Sequence, residues 1–197
     1  MTQKQKTHRI AVAALLAAVA AILQFVEFSI PIMPAFVKLD VSELPALIAS
    51  FAYGPVSGVL VCLIKNLIKL PSTSTAAVGE LFNFVMGALF VGVAGIVYKR
   101  NKTRKGAIVG ALLGALVMAV VSVPYNYFIV YPAYVVMYHL PLEAIIGMYQ
   151  AINPSVDGLL TCLLVFNLPF TFVKGVLDAV LCFLIYKPLS PILHGRK

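Results

Sequence analysis

The chain has 197 residues, of which 61% are hydrophobic and only 11% charged, and its mean hydropathy is +0.99. Soluble domains run nearer half apolar and a quarter charged, so a soluble enzyme, a disulfide scaffold and a disordered chain are all excluded as readings. The formal charge of +8 lies in short stretches beside apolar runs, which marks loop orientation in a membrane and not a nucleic-acid surface.

Three clusters carry most of that charge: Lys4, Lys6 and Arg9; Lys99, Arg100, Lys102, Arg104 and Lys105; Lys187, Arg196 and Lys197. They read as cytoplasmic segments with an attraction to anionic lipid. Residues 10–29 form the first span. No small-x-small cleavage site follows, so the run is not a signal peptide. Within it Ala14 and Ala18 form one small-residue ridge, and Ala13, Ala17 and Ala21 form another. Such ridges serve either internal packing or docking to another membrane protein.

Residues 30–43, IPIMPAFVKLDVSE, form a long outer segment stiffened by Pro31 and Pro34. The apolar run that follows is interrupted at Gly54-Pro55, a strong turn signal. Splitting it gives spans 42–53 and 55–70 and brings the basic clusters to one side. Both arms are short, so extended chain covered by protein or water must complete a crossing. Spans 76–98 and 106–130 follow, then a second outer segment, 131–157, in which Pro141 to Asn153 reads as a short surface helix. Residues 158–167 read as an apolar stretch at the outer surface. Pro169 suits a first helical turn and opens a last span at 169–187. The expected fold is therefore all-α integral membrane, with six transmembrane helices in one domain over 1–197 and both termini inside. No internal repeat supports a transporter of inverted halves.

Polar residues within these spans gather toward the outer ends. They are Glu27, Lys65, Asn66, Lys69, Glu80, Asn83, Asn126, Asn167, Thr171 and Lys174, with Asp178 alone near the middle. Ionisable groups in membrane helices usually mark a site or pathway. These stop halfway, which describes a pocket open outward and closed below. Plainer roles are available: Lys174 and Asp178 at i,i+4 can pair, Glu80 can pair with Lys65 or Lys69, and Asn83 and Asn126 can join helices. Glu27, Lys38 and Glu143 read as solvated or interfacial, His139 as a loop residue, and Cys62, Cys162 and Cys182 as packing. No phosphate-binding loop, HExxH or nucleophile elbow appears, so neither ATP hydrolysis nor another enzymatic reaction is expected.

The Ala-rich first helix, LDVSELPALIASFAYGP at 39–55, VCLIKNLIKL at 61–70, STSTAAVGELFNFVMG at 72–87, LPFTFVKG at 168–175 and IYKPLSP at 185–191 together carry a resemblance. The chain resembles the substrate-binding S components of energy-coupling factor (ECF) vitamin transporters, in particular the riboflavin-binding RibU/FmnP family. The resemblance implies a multi-pass receptor of the prokaryotic plasma membrane that binds riboflavin, with FMN as an alternative, and needs no catalytic cofactor. It also implies a transmembrane coupling subunit and two cytoplasmic ATPases as partners, with the Ala14 and Ala18 face docking the coupling subunit. Phe36, Leu39, Tyr125 and Phe170 would wall a flavin ring. Asn126, Thr171 and Lys174 would meet its polar edge, Asp40, Glu80 and Asn83 the ribityl hydroxyls, and Asn167 is a further ligand-binding position. An S component for another vitamin, and a small self-sufficient secondary transporter, are the alternatives.

Overall fold

The computed structural model describes residues 2–73 and 75–194, and its regular structure is helical apart from one two-stranded ribbon. Arg196 and Lys197 of the third basic cluster lie outside the described residues, as does the Lys187 side chain.

Helix α1 (Gln3–Phe25) opens on a reciprocal cap. The Gln5 amide donates to Thr2 Oγ1 at 3.4 Å, and the Thr2 amide to Gln5 Oε1 at 2.9 Å. Strands β1 (Phe28–Ser29) and β2 (Lys38–Leu39) pair antiparallel, with Phe28 opposite Leu39. Helices α2 (Glu43–Tyr53) and α3 (Pro55–Lys69) follow. Between them Gly54 takes φ 99°, a conformation that side chains with a Cβ rarely adopt. Pro55 then starts α3 with the φ that a first turn needs. The break expected at Gly54-Pro55 is present.

Among the described residues five helical stretches are long and apolar enough to cross a membrane: Gln3–Phe25, Pro55–Ser72, Val78–Arg100, Arg104–Tyr138 and Leu159–Tyr186. Helix α2 is too short, at roughly 16 Å. Every residue from Glu43 to Phe51 in it is buried, so it forms the centre of the bundle. Helices α4 (Val78–Arg100) and α5 (Arg104–Tyr125) form a hairpin, and α5 continues through a π turn at Asn126–Val130 into α6 (Tyr131–Tyr138). The short helix α7 (Leu142–Gln150) falls inside the stretch expected to hold one. Next come α8 (Leu159–Cys162), a π turn at Leu163–Asn167, and α9 (Leu168–His194).

Two helix boundaries differ from those read in the sequence. The segment after residue 130 begins as continued helix, and 159–194 is one helical run that Pro169 does not start. Each π turn ends two residues before a proline, Pro132 or Pro169. Proline lacks an N–H and crowds the carbonyl four residues earlier. A locally wider turn absorbs that defect without ending the helix.

Small residues set the tightest contacts. A Cβ on Gly110 of α5 would lie 2.7 Å from the Ala94 carbonyl oxygen of α4, and one on Gly114 would meet the Phe90 carbonyl. On α9, a Cβ at Gly175 would lie 2.8 Å from Ala115 Cβ. Such backbone approach is how helices associate in lipid, where apolar burial gives little drive. The outward faces stay apolar, with Val56 and Phe128 exposed by 70% and 72%. Cys62, Cys162 and Cys182 are buried free thiols.

Arg9 donates to the Tyr53 carbonyl and, at 3.0 Å, to Ser57 Oγ, tying the start of α1 to the α2–α3 turn. Tyr53, Gly54, Lys99 and Lys102 border one small cleft. The first two basic clusters therefore share one end of the bundle.

Candidate functional site

The opposite end holds an open cavity of about 160 Å³. Asp40, Glu80, Asn83, Asn126, Asn167, Thr171 and Lys174 all line it, together with Phe36 and Phe170. Leu39 and Tyr125 are not among the lining residues. Leu39 precedes Asp40 in extended chain and so faces the other way, where it pairs with Phe28. Tyr125 packs behind the lining ring of Phe82, with centroids 5.8 Å apart.

The floor is a buried set of charges. Lys174 Nζ is 2.9 Å from Asp40 Oδ2 and 3.1 Å from Glu43 Oε2, the latter an ionic contact without hydrogen-bond alignment. Lys65 Nζ is 2.6 Å from Glu43 Oε1 and also donates to Ser42. Ser42 in turn donates to Asp40 through both its hydroxyl and, at 2.9 Å, its amide. Two ammoniums thus face two carboxylates. The Asp40 carboxyl takes Lys174 on one oxygen and the hydroxyl and amide of Ser42 on the other. The pairing differs from the local one read in the sequence. Lys174 reaches the chain before α2, while Asp178 is fully buried with no hydrogen-bond partner among the described residues.

Glu80, in the first turn of α4, also pairs differently from the expected lysines. It accepts from Thr73 Oγ1 at 2.7 Å and from Thr75 Oγ1 at 3.0 Å. The Thr75 hydroxyl accepts from the Gly79 amide at 3.0 Å, so it also caps the start of α4. Lys69 pairs with Glu27 at 2.7 Å, and Glu27 also holds Lys38. These three side chains line the cavity, with Lys38 exposed and Glu27 partly so, in keeping with the solvated or interfacial positions read for these two in the sequence.

The two asparagines sit on the two π turns. Asn126 Nδ2 donates to the Ser122 carbonyl at 2.8 Å, which leaves its carbonyl oxygen for a ligand. Asn167 Oδ1 accepts from the Tyr149 hydroxyl at 2.7 Å. Glu43, Met86, Met118, Tyr131 and Tyr134 also line the cavity without having been nominated. Glu43 had a usable signal: it lies three residues from Asp40, at the head of a short apolar helix. The methionines and tyrosines carried none, since apolar runs hold many like them. Together the lining offers aromatic walls, both donors and acceptors, and a neutralised ionic floor, the usual make-up of a small-molecule pocket.

A family profile described as "ECF transporter, substrate-specific component" matches residues 8–186. The chain belongs to that family. This ECF substrate-specific component is 31% identical over 189 residues to the riboflavin transporter RibU of Staphylococcus aureus (strain TCH60), covering 96% of this chain and 94% of the relative. It is 32% identical over 195 residues to the riboflavin transporter FmnP of Bacillus subtilis (strain 168), covering 98% and 97%. A solved structure of the S component of a bacterial ECF transporter superposes with a TM-score of 0.75 at 31% identity, covering 96% of this chain and 99% of that one. The ECF component is an all-α, multi-pass membrane protein, and its relatives are transporters, not enzymes.

Proposed function

We propose that this ECF component captures riboflavin in the cavity between α2, α4, α5 and α9 and passes it on with the help of partner subunits. The observation that carries the reading is the cavity's lining. Phe36 and Phe170 suit a flat ring, Asn126, Asn167, Thr171 and Lys174 its heteroatom edge, and Asp40, Glu80 and Asn83 the ribityl hydroxyls. The names of the relatives point the same way. FMN is the alternative ligand.

In this reading the basic end faces the cytoplasm, both termini lie inside, and the cavity opens outward. Six crossings result when α2 and the extended chain before it count as one. The chain acts with a transmembrane coupling subunit and two cytoplasmic ATPases. Its docking face is the stripe of α1 that carries Ala14 and Ala18, both exposed, whereas Ala17 and Ala21 pack inward.

The test is to purify the protein in detergent and titrate riboflavin, FMN and unrelated vitamins by fluorescence. Tight riboflavin binding, with no uptake into liposomes that contain this chain alone, is the expected result. Preference for another vitamin would reassign the ligand, and concentrative uptake without partners would make it a secondary transporter.

A further inference from the structure

Helix α7 contributes no residue to the cavity wall, yet one of its side chains touches the wall from behind. Tyr149 is fully buried, and its ring stands edge-on to Phe36 at 6.1 Å and tilted against Phe166 at 5.3 Å. Its hydroxyl sits between two groups that do line the cavity. It donates to Asn167 Oδ1 at 2.7 Å and lies 2.5 Å from the Tyr131 hydroxyl. Asn167 Nδ2 closes the circuit with a longer donation to Tyr131, at 3.4 Å.

With the Asn167 amide placed so that its oxygen meets Tyr149, the circuit runs in one direction. Since Tyr149 has a single proton and gives it to Asn167, Tyr131 must donate to Tyr149. The Asn167 oxygen is then occupied by Tyr149, and its amide nitrogen, with one proton toward Tyr131, has a second to spare. The distances set the sense of the ring: with the amide turned over and the hydroxyls reversed, the Tyr131 hydroxyl would lie 3.4 Å from the amide oxygen, beyond the usual O–H···O range. Burial raises the Tyr149 pKa, with Tyr131 adding to the effect, so the phenol stays protonated.

We infer that Tyr149 is a positioning residue: by gripping Asn167 Oδ1 it fixes the Asn167 amide as a hydrogen-bond donor toward the ligand. Asn126 is fixed the opposite way, with its nitrogen on Ser122 and its oxygen toward the cavity. The two π-turn asparagines therefore present unlike faces, one donor and one acceptor. A ligand edge that alternates carbonyl oxygen and ring N–H fits that pair, and an edge of acceptors alone does not. The inference rests on the proposed binding role of the cavity and adds to it a residue outside the cavity wall.

The experiment is a double-mutant cycle on the full chain in detergent, read by riboflavin fluorescence quenching. Tyr149→Phe keeps the ring and removes only the hydroxyl, and should weaken riboflavin about tenfold. Asn167→Ala should weaken it at least as much, and adding Tyr149→Phe to Asn167→Ala should then cost less than twofold more. Phe166→Leu loosens the packing around Tyr149 without touching the circuit, and should change affinity less than twofold. Additive losses in the cycle, or a Phe166→Leu loss equal to that of Tyr149→Phe, overturn the inference, since either means general packing. A Tyr149→Phe protein that does not fold also overturns it, because the hydroxyl would then hold the fold and not the amide. If Asn167→Ala binds riboflavin normally, the binding role given to that part of the cavity is what fails.

Discussion

Between residues 90 and 114, α4 and α5 touch backbone to backbone, with Gly110 and Gly114 against the Ala94 and Phe90 carbonyls. Between residues 80 and 126 the same two helices part around a cavity that holds Glu80, Asn83, Met118 and Asn126. In the first region the α5 residues at the contact are glycines, so the two backbones meet directly. In the second, larger and polar side chains stand between the helices, and α5 runs on into a π turn. Packing and binding thus use one hairpin, divided along its length by residue size.

Lys174→Ala tests the polar end most severely. It leaves Asp40 and Glu43 facing each other without their shared cation, and breaking a buried pair in this way costs about 3–5 kcal/mol. Riboflavin affinity should fall more than tenfold, and the thermal midpoint of the ligand-free protein should drop as well. A variant that binds normally would mean that the floor contributes nothing to the ligand.

Gly114→Val tests the packed end. Its branched side chain has backbone, not a flexible neighbour, in its way, and overpacking of this kind costs about 1–3 kcal/mol. The expected result is a lower thermal midpoint and less folded protein, with affinity of the folded fraction within about threefold of the parent. A selective loss of affinity at unchanged midpoint would show that the two regions are not separable.

Ala14→Trp combined with Ala18→Trp should change neither stability nor riboflavin affinity measurably, because both positions are exposed. Uptake by the complete transporter should nevertheless be lost, together with co-purification of the coupling subunit. Retained uptake would place the docking face elsewhere.

The sequence made the local features legible. Gly54-Pro55 announced the α2–α3 break, and the depth of the polar residues announced a cavity at one end. What it hid were partners distant in the chain. Lys174 and Asp178 one turn apart suggest a pair, but Asp40, 134 positions earlier, takes the lysine. Pro169 reads as a helix start because a π turn leaves no mark in composition. Leu39 and Tyr125 were misplaced by one layer each, since a neighbouring residue in strand or helix points elsewhere. Tyr149 had no signal at all, being one more aromatic residue in a mostly apolar helix.

The three buried thiols make the chain a ready background for site-directed labelling. Cys62, Cys162 and Cys182 are all inaccessible, so none needs replacement before a reporter cysteine is introduced. A cysteine placed away from the Ala14 and Ala18 stripe, at exposed Val136, would react where the native thiols do not, and a spin or fluorescent probe there would follow the protein through a transport cycle without blocking the docking face.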